Sequence, residues 1–332
     1  MMPAGAPADE DLLELVRGAF DGRTVDAITR HPYPYATSSP LEELQVRFDG
    51  GAEASFIFKN LAWDRLLDDA RRSKPGFLYE PRRTVETYLH ILRPSATGPR
   101  CYAAIADARR GRYWLLLEKV PGVELWQVGE LEVWENTARW VAEFQSRFVG
   151  EIANLRATNP YLLNCDASWF DFWRERAQAA LAQTDDFRAS ELLRRLDRYD
   201  DVVDTLAALP RTFVHGEFYP SNVLVARDGD DVRICPVDWE MAGTGAGLLD
   251  LAALAGGFRA RERGRLFSAY RSAMLERGAD LPPREEMRAD LDRCRLHLAL
   301  QWIGWSASWN APAEHAHDWV GEALVLARRF RL

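Results

Sequence analysis

Two short segments of the sequence carry side chains suited to phosphate and metal chemistry. Residues 214–225 read VHGEFYPSNVLV, and residues 236–240 read PVDWE. A glycine in the first segment lets the backbone turn sharply, so that the next side chain, Glu217, projects from the turn. Asn222 and Asp238 add an amide oxygen and a carboxylate, which are hard oxygen ligands suited to Mg²⁺ and phosphates.

Two short apolar runs between Asn222 and Asp238 predict a β-hairpin. The turn-rich stretch ARDGDD at 226–231 marks its tip. Asn222 stands at the start of the first strand, and Asp238 stands at the end of the second. Because paired strands would bring these residues together at the open end of the hairpin, we expect Asn222 and Asp238 to share a metal site.

The pattern resembles the signature of the aminoglycoside phosphotransferase and choline kinase family, which has a kinase-like fold. That signature, H-G-D-x-x-x-x-N followed by I-D-[FW]-E, stands here as HGEFYPSN and VDWE. The resemblance implies that Glu217 is the catalytic acid that faces the substrate hydroxyl, and that Asn222 and Asp238 hold the metal. It also implies that Asp250, in GLLDLAAL, braces the catalytic loop.

Glu217 departs from the family pattern, which has an aspartate at this position. Glutamate has nearly the same pKa, roughly 4.3 against 3.9. Its extra methylene moves the carboxylate by about 1 Å, and such a displacement can cost about 100-fold in rate. Three interpretations stay open: a loop that has shifted to keep the acid in place, a protein that binds nucleotide and transfers slowly or not at all, and a site for a different transfer or for binding alone.

The N-terminal third contains candidates for nucleotide binding. Lys59 ends the strand ASFIFK, where kinases of this type carry the lysine that contacts the α- and β-phosphates. Only three of the 42 basic residues are lysines, which draws attention to each of them. The resemblance implies Glu86 as the carboxylate partner of Lys59, with Glu80 as its rival and a solvent-exposed helix charge as the simpler interpretation of Glu86.

The segment YATSSP at 35–40 stands where a glycine-rich loop would cover the phosphates, but it has no G-x-G pattern. The hydroxyls and backbone amides of Thr37, Ser38 and Ser39 can serve the same purpose, and an ordinary loop is an equal alternative. The segment LLLEKVPG resembles the hinge that offers backbone groups to adenine. This resemblance assigns Glu118 and Val120 to nucleotide binding.

Patterns of hydrophobicity and turns predict an α+β protein with a two-lobed, protein-kinase-like fold. We expect a β-rich, nucleotide-binding N-lobe at 1–119, after a frayed, Pro/Ala-rich start, and a mainly helical C-lobe at 120–332. The predicted strands lie at 24–30, 41–48, 52–59, 101–108 and 112–120, with short strands in 212–240. The predicted helices lie within 61–93 and at 131–148, 168–183, 187–208, 247–277, 284–304 and 316–330.

Composition limits the classes of partner. A hydrophobic fraction of 47% and a charged fraction of 28% are typical of a globular protein. No apolar run approaches the roughly 20 residues of a membrane helix, and the N-terminus lacks a signal pattern, so we expect a cytoplasmic location. The net charge of −8 disfavours nucleic acid, and it serves solubility or suits a cationic substrate. Both a monomer and a homodimer stay open.

Two weaker patterns lie near the C-terminus. The four tryptophans of the last 31 residues can line a pocket for a cation or a ring, although core packing is the simpler interpretation; they are Trp302, Trp305, Trp309 and Trp319. His315 and His317 form an H-x-H pattern, which we interpret as a surface pair because no third metal ligand is in view.

The residues and the resemblance together predict a small-molecule O-phosphotransferase. It would use Mg²⁺ and ATP, with GTP as the other possible donor, and phosphorylate a hydroxyl of an aminoglycoside-, amino-alcohol- or sugar-like substrate. The alternative is a degenerate kinase-like protein that binds nucleotide or a small ligand without efficient transfer.

Overall fold

The computed structural model describes residues 7–34, 38–95, 97–229, 231–306 and 317–332. Thr37, Trp309 and His315 lie outside these ranges. The chain divides into two compact units: the first runs to Gly122 and includes Leu224–Glu240, and the second comprises Val123–Val223 and Met241–Leu332. The segment of the predicted hairpin therefore belongs mainly to the first unit. The functional division into lobes at 1–119 and 120–332 stays a prediction.

Strands and helices follow the predicted order along the chain. The strands in the described ranges are β1 (Val25–Tyr33), β2 (Leu41–Phe48), β3 (Glu53–Asn60), β4 (Cys101–Asp107), β5 (Arg112–Glu118), β6 (Gly122–Glu124), β7 (Leu163–Asn164), β8 (Arg211–Val214), β9 (Val223–Asp228), β10 (Asp231–Pro236) and β11 (Gly243–Ala246). The α-helices there are α1 (Asp9–Ala19), α2 (Asp68–Ser73), α3 (Pro81–Thr87), α4 (Leu131–Ser146), α5 (Ile152–Thr158), α6 (Ala167–Leu181), α7 (Ala189–Leu196), α8 (Asp200–Ala208), α9 (Leu248–Leu254), α10 (Ala260–Glu276), α11 (Arg284–Ser306) and α12 (Trp319–Arg329).

The first unit is built on an antiparallel five-stranded sheet with the strand order β1-β2-β3-β5-β4. Phe56 and Phe58 lie two residues apart on β3, so their side chains share one face of the strand, which packs into an apolar core. Helix α1 covers this core with Leu12 and Val16. The sequence patterns did not predict α1; its apolar side chains are ordered by burial against the sheet.

The second unit is mainly helical. Helix α4 packs against α10, and α6 packs against α11. A small sheet has the order β7-β11-β8, and its central strand, β11, leads into α9. Two predicted helices are each divided. The helix predicted at 187–208 is interrupted between α7 and α8. The helix predicted at 247–277 breaks after α9, where Gly257 has a φ of 80°, a backbone conformation that ends a helix. No helix in the described ranges is long and apolar enough to cross a membrane.

A buried arginine at the start of α3 connects two parts of the first unit. The Arg83 residue is 2% exposed, and its guanidinium donates to the Leu78 carbonyl at 2.9 Å and to the Glu240 carbonyl at 2.7 Å. The neighbouring Arg82 is half-exposed and pairs with Glu80. The two arginines therefore have the same charge but very different surroundings.

We predict that Arg83→Leu lowers the free energy of unfolding by about 3 kcal/mol, because two buried carbonyls lose a charged donor. Arg82→Leu, which removes an exposed ion pair, is the matched control and should cost under about 1 kcal/mol. Urea unfolding followed by circular dichroism measures both. Equal losses in the two variants would contradict the assigned role of Arg83.

Candidate active site

Lys59 and Asp238 form a buried ion pair in the first unit. Lys59 lies near the end of β3, opposite Leu115 on β5, and its side chain is 9% exposed. Its ammonium group pairs with the Oδ1 atom of Asp238, whose side chain is 22% exposed. The structure thus brings a predicted phosphate-binding lysine to a predicted metal-binding carboxylate.

Asp238 has an unusual backbone conformation. It stands two residues after β10 with a φ of 62°, in the left-handed region that most side chains avoid. Aspartate tolerates this region better than most residues, although the conformation still costs about 1 kcal/mol or more. The surrounding structure therefore stabilises a strained backbone, which fixes the direction of the Asp238 carboxylate.

A second lysine–carboxylate pair lies next to the first. Lys74 Nζ is 2.8 Å from Glu240 Oε1, and Ser38 Oγ donates to the same oxygen at 2.7 Å. Burial alone would raise the pKa of Glu240, but the ammonium groups of Lys74 and Lys59 outweigh it and hold the pKa below its usual range. The sequence interpretation missed this pair. The scarcity of lysine and the final glutamate of VDWE were the available signals.

The proposed partners of Lys59 on and before α3 have other contacts. Glu86 pairs with His90 at 3.1 Å. Glu80 accepts from the backbone N–H of Arg82 at 3.0 Å and caps α3. The carboxylate that the structure pairs with Lys59 is that of Asp238, so a role for Glu86 in nucleotide binding stays a prediction.

The predicted hinge residues lie where β5 ends. Arg233 donates to both oxygens of Glu118 at 2.6 and 2.8 Å, and the backbone N–H of Arg100 donates at 2.9 Å. These contacts, led by the hydrogen bond from Arg233, lower the pKa of Glu118. Val120 is buried against Ala226 and Cys235. The Glu118 side chain is thus engaged within the protein. Only the backbone groups of the predicted hinge would then be available to a nucleotide.

The HGE turn in the second unit depends on its glycine. Gly216 has a φ of 84°, and a side chain there would overlap the Met241 carbonyl oxygen. Phe218, just after the turn, is fully buried and stacks on Trp140 at a centroid distance of 6.0 Å. The turn and this buried ring fix the backbone on both sides of Glu217.

Asp250 braces this turn, as the resemblance implied. Its two carboxylate oxygens accept the backbone N–H groups of His215 at 2.9 Å and Gly216 at 3.0 Å. Gln145 donates to the carboxylate at 2.9 Å and accepts from the Tyr270 hydroxyl at 2.7 Å. Burial raises the pKa of Asp250 to about 6, and the hydrogen bonds from His215, Gly216 and Gln145 only partly oppose this rise.

Glu217 and Asn222 are joined through the backbone. The Asn222 side-chain amide donates to the Glu217 carbonyl at 3.0 Å, which leaves the Asn222 Oδ1 atom as its acceptor. The Glu217 charge is also felt by Tyr219, because burial first and this carboxylate second raise the pKa of the Tyr219 hydroxyl. Glu217 and Asn222 thus belong to one ordered loop.

Two of the C-terminal tryptophans extend the aromatic surface beside this loop. Tyr219 contacts Trp302 at a centroid distance of 5.2 Å, and Trp302 stacks on Trp319 at 5.3 Å with nearly parallel rings. Trp305 packs elsewhere, against Trp173 at 5.2 Å. His317 pairs with Glu322 at 2.6 Å, as a surface residue does.

The donor set is compatible with a magnesium–nucleotide complex. Across the described residues, no group of three or more His, Cys, Asp or Glu side chains is arranged to hold a metal ion. Magnesium sites in kinases need only one or two protein oxygens, since phosphates and water complete the octahedron. The Asp238 carboxylate and the Asn222 amide oxygen are each an oxygen ligand of this type, so each is chemically suited to Mg²⁺.

A comparison with protein families gives a match over most of the sequence. The profile of the phosphotransferase enzyme family, APH, matches residues 46–289. The chain belongs to this phosphotransferase family. A comparison with curated protein sequences finds no match.

Solved structures with a similar fold agree with membership of the phosphotransferase family. A protein of Ralstonia eutropha assigned as an aminoglycoside phosphotransferase has a TM-score of 0.61 and 15% identity over 96% of both chains. Choline kinase LicA from Streptococcus pneumoniae has a TM-score of 0.59 and 13% identity over 97% of this chain and 99% of its own, and it has also been solved with AMP. The GDP and kanamycin complex of APH(2″)-IIIa has a TM-score of 0.55 and 11% identity over 97% and 98%.

These similarities confirm the predicted fold class. The phosphotransferase has an α+β, kinase-like fold with an antiparallel sheet in its N-terminal region and a helical C-terminal part. Family and fold together support a general small-molecule phosphotransferase activity on hydroxyl groups.

Asp250→Asn tests the brace of the HGE turn. The folded-state pKa of about 6 lies above the ordinary value of 3.8, so the folded protein binds this proton more tightly and wild-type stability falls as pH rises between these values. Asparagine has one acceptor oxygen for two backbone N–H groups, so the variant should be less stable by about 1–3 kcal/mol. The stability gap should be widest at low pH and narrow toward pH 6. Urea unfolding at a series of pH values measures it, and a gap independent of pH would contradict the assignment.

Proposed function

We propose that the protein is an O-phosphotransferase that transfers the γ-phosphate of ATP, or of GTP, to a hydroxyl group of a small molecule. The single observation that carries the proposal is the buried pair of Lys59 and Asp238 in a chain of the phosphotransferase family. A lysine for phosphates beside a carboxylate for a metal is the arrangement that kinase chemistry requires.

Lys59 is proposed to contact the nucleotide phosphates. Its low exposure favours this role, because an ammonium group withdrawn from water binds an incoming anion strongly. Asp238 and Asn222 would hold Mg²⁺ through their side-chain oxygens. When bound, this ion neutralises charge on the phosphates and orients them for transfer.

The remaining nucleotide contacts are proposed for the covering segment and the hinge. Ser38 and Ser39 would offer hydroxyls and backbone amides to the phosphates, in place of a glycine-rich loop. Glu118 and Val120 would contact adenine through their backbone groups, since the Glu118 side chain is engaged by Arg233. Glu86, on α3, would contribute a negative charge to the nucleotide-binding site.

Glu217 is proposed as the acid that orients the substrate hydroxyl and accepts its proton. The loop around it supports this role: Asp250 holds the backbone before it, and the buried Phe218 holds the backbone after it. A rigid loop can place a glutamate carboxylate reproducibly, which is what catalysis by positioning demands. The longer side chain then defines where the substrate hydroxyl must lie.

The substrate is proposed to be an aminoglycoside-, amino-alcohol- or sugar-like compound, and a cationic one fits best. The net charge of −8 favours attraction of a cation. Tyr219, two residues after Glu217 in the loop, contacts Trp302, which stacks on Trp319, and aromatic faces bind ammonium groups by cation–π attraction. Choline and kanamycin, the ligand classes named for two of the similar structures, both carry amino or ammonium groups.

Glu217→Gln tests the proposal once a panel of hydroxyl compounds has yielded a substrate. We expect kcat to fall about 100-fold or more while the nucleotide Kd stays within about twofold, because only proton acceptance is removed. Glu217→Asp should also lose rate, since the shorter side chain cannot reach. Steady-state kinetics and isothermal titration calorimetry measure the two quantities. Equal turnover of wild type and Glu217→Gln would contradict the role of Glu217.

A further inference from the structure

The carboxylate of Glu240 collects two donors from distant parts of the first unit. Lys74 Nζ lies 2.8 Å from its Oε1 atom, and Ser38 Oγ donates to the same atom at 2.7 Å. The side chains of Lys74 and Glu240 are only 8% and 15% exposed. Hydrogen bonds to an ionised carboxylate that is withdrawn from water are stronger than neutral ones.

Ser38 is held from two sides. The Ser38 carbonyl accepts the backbone N–H of Leu67 at 3.0 Å, and Leu67 directly precedes α2. Lys74 directly follows α2 and reaches Glu240. Helix α2 is therefore attached to Ser38 at its beginning and to the carboxylate that holds Ser38 at its end, which closes a ring of contacts.

This ring lies next to the proposed phosphate site. Glu240 follows Asp238 by two residues, and the ammonium groups of both Lys74 and Lys59 lower the pKa of Glu240. Kinases cover the phosphates with a glycine-rich loop between their first two strands. Here the connection between β1 and β2 lacks a G-x-G pattern and carries two serines, of which Ser38 is held by its hydroxyl contact to Glu240 and its backbone contact to Leu67.

We infer that Lys74 is a positioning residue for nucleotide binding: through Glu240 it holds Ser38, one of the two serines proposed to contact the phosphates. The inference rests on the proposed function for the location of the phosphates. The ring of contacts itself does not depend on it. Lys74 can act without contacting the nucleotide. If Lys74 is removed, the ionised Glu240 loses the positive charge that keeps it buried and directed at Ser38.

The chain supplies its own control. Arg265, on α10, pairs with Glu135 at 2.6 Å, and its side chain is 48% exposed. Arg265→Met therefore removes one positive charge and an ion pair of nearly the same length from a solvent-exposed position that is not among the residues proposed to bind nucleotide. A surface pair of this kind contributes little.

The experiment compares five variants of the full chain: Lys74→Met, Lys74→Arg, Ser38→Ala, the double variant of Lys74→Met with Ser38→Ala, and Arg265→Met. Hydrogen–deuterium exchange of the peptide containing Ser38 and Ser39 reports the segment in the nucleotide-free protein. Isothermal titration with Mg²⁺ and a non-hydrolysable ATP analogue reports affinity. Thermal unfolding reports any general loss of stability.

We expect Lys74→Met to speed exchange of the Ser38 peptide at least tenfold and to raise the nucleotide Kd about tenfold. Lys74→Arg should recover part of both effects, and Arg265→Met should stay within twofold of wild type. Ser38→Ala should change the Kd less in the Lys74→Met background than in wild type, because coupled residues are not additive.

Two outcomes would overturn the inference. The first is a Lys74→Met protein that unfolds at a lower temperature but keeps wild-type exchange at Ser38 and wild-type Kd, which is the behaviour of a purely structural pair. The second is additive effects of Lys74→Met and Ser38→Ala. A wild type that binds no nucleotide would instead remove the proposed function, while the exchange measurement would still decide whether Lys74 holds Ser38.

Discussion

Four charged side chains with little exposure to water meet at the end of β10, and their mutual compensation constrains much of the first unit. Lys59 pairs with Asp238, and Lys74 pairs with Glu240. An isolated charge buried to this degree would cost several kcal/mol, so each member depends on its partner. The strand that carries Lys59, the segment that carries Lys74 and the turn after β10 must therefore come together for these charges to be compensated. The left-handed backbone of Asp238 is stabilised by the same requirement.

The second unit buries a carboxylate by a different means. Asp250 has no cation among its hydrogen-bond partners; backbone N–H groups and an amide surround it, and its pKa rises to about 6. A carboxylate held by dipoles can fix a backbone turn without drawing a cation into the site. The contrast separates two tasks. The ion pairs in the first unit compensate buried charges, and the dipole-held Asp250 keeps the turn before Glu217 rigid.

The sequence predicted the parts of this arrangement that depend on local pattern. The β-prone runs on either side of the Asp-Gly-Gly turn at 49–51 predicted β2 and β3, and the HGE and VDWE segments identified Glu217, Asn222 and Asp238 as candidates. Gly257 marks the end of α9, yet the helical periodicity on both sides concealed the break. Lys74 and Glu240 each carried a local signal, but their pairing did not, because it joins the end of a short helix to a residue far along the chain. Contacts of this kind follow from tertiary packing, which propensities and spacing do not encode.

The most direct test of the account is the state of the lysine ammonium groups, and three lysines make it tractable. In protein labelled with ¹⁵N-lysine, the Nζ signals of Lys59 and Lys74 should be protected from solvent exchange, while Lys119, the more exposed of the three, should exchange rapidly. Lys59→Arg assigns one protected signal. Addition of Mg²⁺ and a non-hydrolysable ATP analogue should shift that signal more than the other two, since Lys59 exchanges Asp238 for a phosphate. A Lys59 signal that is unprotected in the free protein, or unmoved when nucleotide binds, would contradict the account.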